Sequence, residues 1–257
     1  ELRGEGGKVG ECEEVGDGEE AVENGGARGV KGQIDMRGEG NERGTKNLCD
    51  KIGRQVVGIP GTRDNDPEHT DLTFGFDTTV NTVLGAINNL RDTMTSHDRV
   101  CIIEVMGRKC GDIALYAGLG GGAEIILVPE EPFDLNAVVK SIKLNQRIGK
   151  TSDIIVLAEG VCTAEELKAR LKENGVTGSI KTTTLGYIQR GGTPSNQDRT
   201  LAAEFAIRAV DFLLENRGGR VVGIRNNAIV DEDIGEALAM ERRFNDDLYK
   251  KSRILSL

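Results

Sequence analysis

From residue 55 onward the chain alternates short, continuous apolar runs with longer stretches of helical period, and no other feature constrains its fold as strongly. Val56-Val57-Gly58-Ile59, Ile125 to Val128, Ile154 to Ala158 and Val221 to Ile224 are apolar along their whole length, as strands buried on both faces are. Val100 to Val105 is interrupted only by Glu104, and Thr182 to Leu185 reads as a β-branched strand. Between these runs, Val80, Val83, Leu84, Ile87 and Leu90 recur at helical spacing and predict an amphipathic helix from about Phe74 to Thr95. Asp134 is placed to cap a helix with Val138, Val139 and Ile142 on its inner face. Thr163 and Glu166 form a capping box for a helix reaching about Glu173. Further helices are expected over about Asp198 to Glu215 and Ile234 to Met240. Strands alternating with helices imply an α/β chain with a largely parallel sheet, or two of them, and helices on both faces.

In such sheets ligands bind beyond the carboxyl ends of the strands, so the residues found there carry the functional reading. The first run is followed by Pro60-Gly61-Thr62-Arg63-Asp64-Asn65-Asp66. Two carboxylates at i and i+2 after a tight turn can serve one site in two roles, one accepting a proton and the other holding a cation or orienting a neighbour. The same residue types also suit a plain acidic surface turn. Met106-Gly107-Arg108, Glu159-Gly160 and Gly186-Tyr187-Ile188-Gln189-Arg190-Gly191-Gly192 close three other strands. Singly, Arg108 suits a surface cation, Glu159 a cap and Gly191-Gly192 a turn. Together, two carboxylates, several arginines and a Gly-rich turn suit phosphoryl transfer onto a sugar phosphate. In that chemistry arginines neutralise phosphates, a carboxylate accepts a hydroxyl proton and magnesium bridges the donor phosphates.

Composition narrows the partners. At 257 residues the chain is long enough for one large domain or two interlocked ones. A net charge of −9 argues against nucleic acid or an anionic membrane surface as the main partner. No apolar run approaches spanning length and no signal-peptide pattern opens the chain, so a soluble, cytoplasmic protein is expected. The five cysteines (Cys12, Cys49, Cys101, Cys110, Cys162) never form a CxxC pair, which disfavours a disulfide framework or a zinc site. Residues 1–50 read differently from the rest. They are glycine-rich and acidic with no aromatic residue, a composition that on its own suits a disordered or weakly ordered leader. Within them, Arg37-Gly38-Glu39-Gly40-Asn41 follows Gln33-Ile34-Asp35-Met36 in the manner of a glycine-rich turn whose backbone N–H groups can cradle phosphate.

The strand-end motifs, with Thr95-Ser96-His97-Asp98-Arg99 and Glu104-Val105-Met106-Gly107-Arg108, resemble in order and spacing those of bacterial 6-phosphofructokinases, from about Gln55 to the C-terminus. The resemblance implies two interwoven three-layer α/β domains, residues 1–75 with 189–239 on the ATP side and 76–188 with 240–257 on the sugar-phosphate side. It also implies a homotetramer whose active site is completed by a neighbouring subunit, with Mg2+, ATP and fructose 6-phosphate as ligands. Carried over by position, Asp64 would accept the sugar 1-hydroxyl proton, Thr62 and Asp66 would support the phosphate and magnesium, and Arg108 would stabilise the transferring phosphoryl group. Arg63, Met106, Gly107, Glu159, Tyr187, Ile188, Gln189 and Arg190 would line or hold the sugar phosphate, with Arg99 and Lys181 reaching it from a neighbouring copy. Gly61 stands where pyrophosphate-using relatives usually carry Lys, which favours ATP.

Departures from the family pattern are also specific. Lys181 replaces an Arg, giving a point charge for a fork. Tyr187 replaces a His, and Arg63 an aliphatic residue beside the base, where an outward-facing side chain is expected. On the ATP side, Lys8, Val9, Gly38, Glu39, Gly40 and Asn41 align with cofactor positions, with Glu39 in place of a magnesium-binding Asp and Arg37 in place of a Gly. Counting back without gaps implies that the chain starts after the family's first strand and phosphate loop. Arg91, Gly122, Glu124 and Lys150 match effector positions, whereas Ile148, Thr151 and Ser152 replace basic ones, so weak or absent control by ADP and phosphoenolpyruvate is expected. The alternatives to an active kinase are a sugar-phosphate-binding or regulatory protein that has lost effective ATP binding and, disfavoured by Gly61, a pyrophosphate-dependent phosphotransferase.

Overall fold

The computed structural model describes residues 32–37, 55–94, 99–150 and 152–255. Along the chain the elements are β1 (Gly32–Arg37), β2 (Gln55–Pro60), α1 (Phe76–Met94), β3 (Arg99–Val105), α2 (Asp112–Gly120), β4 (Ile125–Leu127) and α3 (Leu135–Arg147). They continue as β5 (Ser152–Ala158), α4 (Ala164–Glu173), β6 (Ser179–Thr184), a 3-10 turn (Gly186–Arg190), α5 (Asn196–Leu214), β7 (Arg220–Arg225), β8 (Ala228–Asp233), α6 (Ile234–Ala239) and α7 (Asp246–Leu255). The strands form two sheets, β1-β2-β7-β8 and β4-β5-β3-β6. Every pairing in the second is parallel, and the first is parallel except for β7 with β8.

The second sheet is covered on both faces, which is why β3, β4 and β5 read as largely continuous apolar runs, whereas the edge strand β6 is polar and partly exposed. On one face Cys101, Ile103 and Val156 pack against Val83 and Ile87 of α1 and Ile113, Ala114 and Ala117 of α2. On the other, Ile102, Ile155 and Leu157 pack against Val139 and Ile142 of α3 and Leu167 and Leu171 of α4. The first sheet packs Val57, Ile59 and Val222 onto Leu201, Phe205 and Phe212 of α5. Asp134 caps α3 through the backbone N–H groups of Asn136 and Ala137, and both halves of the Thr163–Glu166 capping box are formed.

Several boundaries and elements differ from the sequence reading. The β4 strand ends at Leu127 and β6 runs over Ser179–Thr184, with Leu185 the N-cap of the 3-10 turn. Missing from that reading are α2, α7 and the antiparallel β8. The β8 strand follows a two-residue hairpin loop in which Asn226 (φ 51°) and Asn227 (φ 61°) both have left-handed backbones. An Asn pair between two strand-like runs is the sequence signal for such a loop. The α2 helix sits in a run apolar on all sides, where helical period carries no contrast. Among the described residues, no helix is long and apolar enough to cross a membrane.

His69 fastens the chain beyond β2 to the first sheet. It is buried, and its Nε2–H donates to the Val222 carbonyl at 3.2 Å. Burial depresses its pKa to about 4. The unfolded chain therefore binds a proton there near pH 6.5 that the folded chain does not. This site contributes stability above pH 6.5 that is lost as pH falls towards 4, by on the order of 3 kcal/mol. Urea denaturation from pH 7 to 4 is expected to show this slope in the parent chain and its loss in His69→Gln.

Candidate active site

Parallel register brings the strand ends together. Val105 pairs with Ala158 and Glu104 with Thr184, so the turns after β3, β5 and β6 leave the second sheet at one edge. The turn after β2 faces them from the first sheet. Between the two lies a cleft of about 710 Å³, lined by Thr62, Arg63, Asp64 and Asp66 on one side and by Met106, Arg108, Gln189 and Arg190 on the other.

The acidic turn is held by its own neighbours. Asn65 takes a left-handed backbone (φ 55°), a conformation that Asn tolerates better than most side chains. Its Oδ1 accepts from the backbone N–H of Thr73 at 3.0 Å and its Nδ2 donates to Asp112 Oδ2 at 3.0 Å. Thr73 Oγ1 donates to the Thr62 carbonyl at 2.7 Å, and Thr62 Oγ1 accepts from the Asp64 N–H at 3.2 Å. Asp64 and Asp66 therefore stand on a turn whose backbone is fixed on both sides of Asn65. Gly61 is confined by packing: a Cβ there would lie 2.5 Å from Phe74 Cζ. Gly61→Ala must push that ring aside and is expected to cost about 1–3 kcal/mol of stability, read as a lower urea midpoint at unchanged m-value.

The opposite wall is organised by Glu159. One of its oxygens accepts from the N–H of Gly107 at 3.2 Å and of Arg108 at 2.7 Å. Those bonds secure a strained turn, with φ 143° at Gly107 and 54° at Arg108. Gly107 admits no side chain, since a Cβ would meet the Cys110 carbonyl at 2.3 Å. Gln189 is buried and its Oε1 accepts from the Met106 N–H at 3.2 Å, tying the 3-10 turn to the end of β3. The Arg190 guanidinium lies 5.2 Å over the ring of Tyr187, which with Ile188 is exposed.

Charge meets across the cleft. Arg108 Nε lies 4.0 Å from Asp64 Oδ2, the arginine largely exposed and the aspartate mostly covered. Burial and then the neighbouring Asp66 raise the Asp64 pKa above its ordinary 3.8, while Arg108 and Arg190 oppose the rise. Asp66 Oδ1 is buried with no hydrogen-bond partner among the described residues. A buried carboxylate oxygen left open beside a second carboxylate is the hard-oxygen donor that Mg2+ takes.

The structure separates the remaining sequence-derived candidates. Arg63 is exposed at the cleft wall, as an outward-facing side chain would be. Arg99 opens β3 and Lys181 pairs with Cys101, so both start from the end or middle of strands whose other ends carry the cleft. Arg91 and Gly122 meet through a 2.9 Å bond from the guanidinium to the Gly122 carbonyl, and Lys150 pairs with Glu124 at 3.1 Å. Lys8, Val9, Gly38, Glu39, Gly40 and Asn41 lie outside the described residues. Sequence reasoning missed the cleft floor, where buried Asp198 at the start of α5 accepts from the Thr78 N–H at 2.8 Å and from its hydroxyl. Asp198 carried only the signal of a helix start.

The phosphofructokinase family model matches residues 7–213. An ATP-dependent 6-phosphofructokinase of Clostridium novyi (strain NT) is 51% identical over 232 residues, covering 90% of this chain and 72% of that protein. One from Thermoanaerobacter pseudethanolicus is 50% identical over 229 residues, covering 89% and 71%. Among solved structures, Pichia pastoris phosphofructokinase in the T-state superposes with a TM-score of 0.75 at 26% identity, over 89% of this chain but only 28% of that one. A pyrophosphate-dependent phosphofructokinase from Marinobacter aquaeolei shares the fold with a TM-score of 0.70 at 22% identity, over 85% of this chain and 62% of that one.

Proposed function

The chain belongs to the phosphofructokinase family, and from that premise we propose that it transfers the γ-phosphoryl group of ATP to the 1-hydroxyl of fructose 6-phosphate, giving fructose 1,6-bisphosphate and ADP, a step of glycolysis. The observation that carries the reading is the Asp64–Arg108 pair facing across the cleft, with the carboxylate's pKa raised by burial. As the sugar oxygen bonds to phosphorus, Asp64 takes its proton, and the bond to the leaving ADP oxygen breaks with its electron pair on ADP. Arg108 neutralises charge on the transferring group. Asp66, through its open oxygen, would hold Mg2+, with Glu39 its expected counterpart on the ATP side, and the ion would supply charge neutralisation at the donor phosphates.

Thr62, Arg63, Met106, Gly107, Glu159, Tyr187, Ile188, Gln189 and Arg190 form the sugar-phosphate side in this reading, and Lys8, Val9, Gly38, Glu39, Gly40 and Asn41 the nucleotide side. Arg99 and Lys181 act from a neighbouring copy in a homotetramer. Their positions support this, because Arg99 lies about 20 Å along β3 from Val105 at the usual strand rise. The grouping of β1, β2, β7 and β8 apart from β3 to β6 supports two interwoven domains, 1–75 with 189–239 and 76–188 with 240–257. Gly61 and the close Phe74 ring leave no room for a lysine, which favours ATP over pyrophosphate.

The deciding experiment is a coupled ADP-release assay with fructose 6-phosphate and Mg-ATP, run beside a pyrophosphate arm and thermal shifts with each ligand. Turnover requiring both substrates is expected, with the sugar-phosphate dependence unmoved by ADP or phosphoenolpyruvate. Stabilisation by fructose 6-phosphate without turnover would overturn the kinase reading in favour of a sugar-phosphate-binding protein.

A further inference from the structure

We propose that Arg242, Asp112 and Asn65 form a positioning relay through which the segment between α6 and α7 fixes the geometry of the Asp64 turn. The inference rests on the kinase reading only for its effect on turnover.

The relay begins at a cluster built like a cation site. Ligand atoms of Cys110, Asp112 and Glu130 lie within 4.8 Å of one another at the start of α2. The cation is supplied by the chain itself. Arg242 Nη2 lies 3.0 Å from Asp112 Oδ1 and 2.7 Å from Cys110 Sγ, and Nη1 pairs with Glu130. Glu130 also accepts from the Gly111 N–H at 2.8 Å, and Gly111 is the N-cap of α2. The guanidinium is about three-quarters covered and its two carboxylate partners are covered further. Such a fork holds two acids in one relative geometry, which a lysine point charge does less well.

The second oxygen of Asp112 leads out of the cluster. Asp112 Oδ2 accepts from Asn65 Nδ2 at 3.0 Å, and that amide sits on the one residue between Asp64 and Asp66. Asn65 alone in the turn has a left-handed backbone, so its side-chain bonds decide where the two flanking carboxylates point. Removing Arg242 leaves Asp112 and Glu130 covered and facing each other without a counter-charge. Asp112 then turns away and Asn65 loses an anchor. A misplacement of about 1 Å at a reacting group can cost on the order of 10² in rate.

The test uses the full chain with Arg242→Met, Arg242→Lys, Asn65→Ala and the double variant Arg242→Met/Asn65→Ala. Hydrogen exchange at the amides of residues 62–66 is expected to quicken in Arg242→Met and to recover partly in Arg242→Lys. The kcat of Arg242→Met is expected to fall by up to about 10² with KM for fructose 6-phosphate unchanged. The double variant is expected to lose no more than Asn65→Ala alone, because both act through one path. Additive losses, or unchanged exchange over 62–66 in the folded Arg242 variants, would overturn the relay. If Arg242→Met does not fold, Asp112→Asn cuts the same path with an isosteric side chain and is judged by the same exchange. A parent chain without turnover removes the kinase reading, whereas the exchange data still decide the relay.

Discussion

Asp64→Asn is expected to lower kcat by about 10²- to 10⁴-fold, the usual contribution of a positioned general base. The substitution keeps the shape of the side chain and the bond from the Asp64 N–H to Thr62, so the turn persists while the proton acceptor is lost. Thermal stability should hold or rise. A carboxyl whose folded pKa is raised carries its charge at a cost in the fold, and a neutral amide escapes that cost. The combination of lost turnover with intact stability separates a catalytic role from a structural one. The pH profile gives a second reading. Burial and Asp66 place the Asp64 pKa above 3.8, so in the parent chain kcat/KM should fall as pH drops through that raised value. An acid limb that persists unchanged in Asp64→Asn, or undiminished turnover, would remove Asp64 as the base.

Arg108→Asn is the second large effect, expected to cost about 10²–10³ in kcat, as for loss of one preorganised charge stabiliser. Asparagine is chosen because Arg108 has φ 54°, which Asn accepts with little strain while most other side chains resist it. The N–H bonded to Glu159 remains, so the turn at 106–108 is preserved. The arginine side chain is 74% exposed, and its removal should barely change stability. Arg108 also lowers the Asp64 pKa, so its loss should move the acid limb of kcat/KM to higher pH. A rate loss with an unmoved limb would mean that Arg108 acts on substrate without sensing Asp64. Equal rates in parent and variant would remove it from the site.

How much of this was legible beforehand differs between elements. The Thr163–Glu166 capping box and the Asp134 cap depend on side chains within three residues of the backbone they satisfy, so they could be read directly. The buried strands β3 and β5 were equally plain, because burial on both faces leaves a continuous apolar run. The 3-10 turn and the exact span of β6 were not, since Thr182 to Leu185 suits a strand locally and only the pairing with β3 sets where it stops. Glu159, Arg108 and Asp64 could be named as strand-end groups, but nothing local says that one Glu159 oxygen holds two N–H groups of the neighbouring turn after β3.

The sequence by itself determined the α/β class, the order of the buried strands and of most helices, and which acids and arginines stand at the strand ends. Periodicity, capping and turn chemistry are short-range, and they write themselves into neighbouring residues. Only the tertiary structure decided that the turn after β2 and the turn after β3 share one cleft, that Asp64 is covered enough to raise its pKa, and that Asn65 reaches through Asp112 to Arg242. Each of these is a distance between residues far apart along the chain, set by sheet register and side-chain packing. Desolvation and Coulomb interaction depend on such distances and on no local pattern.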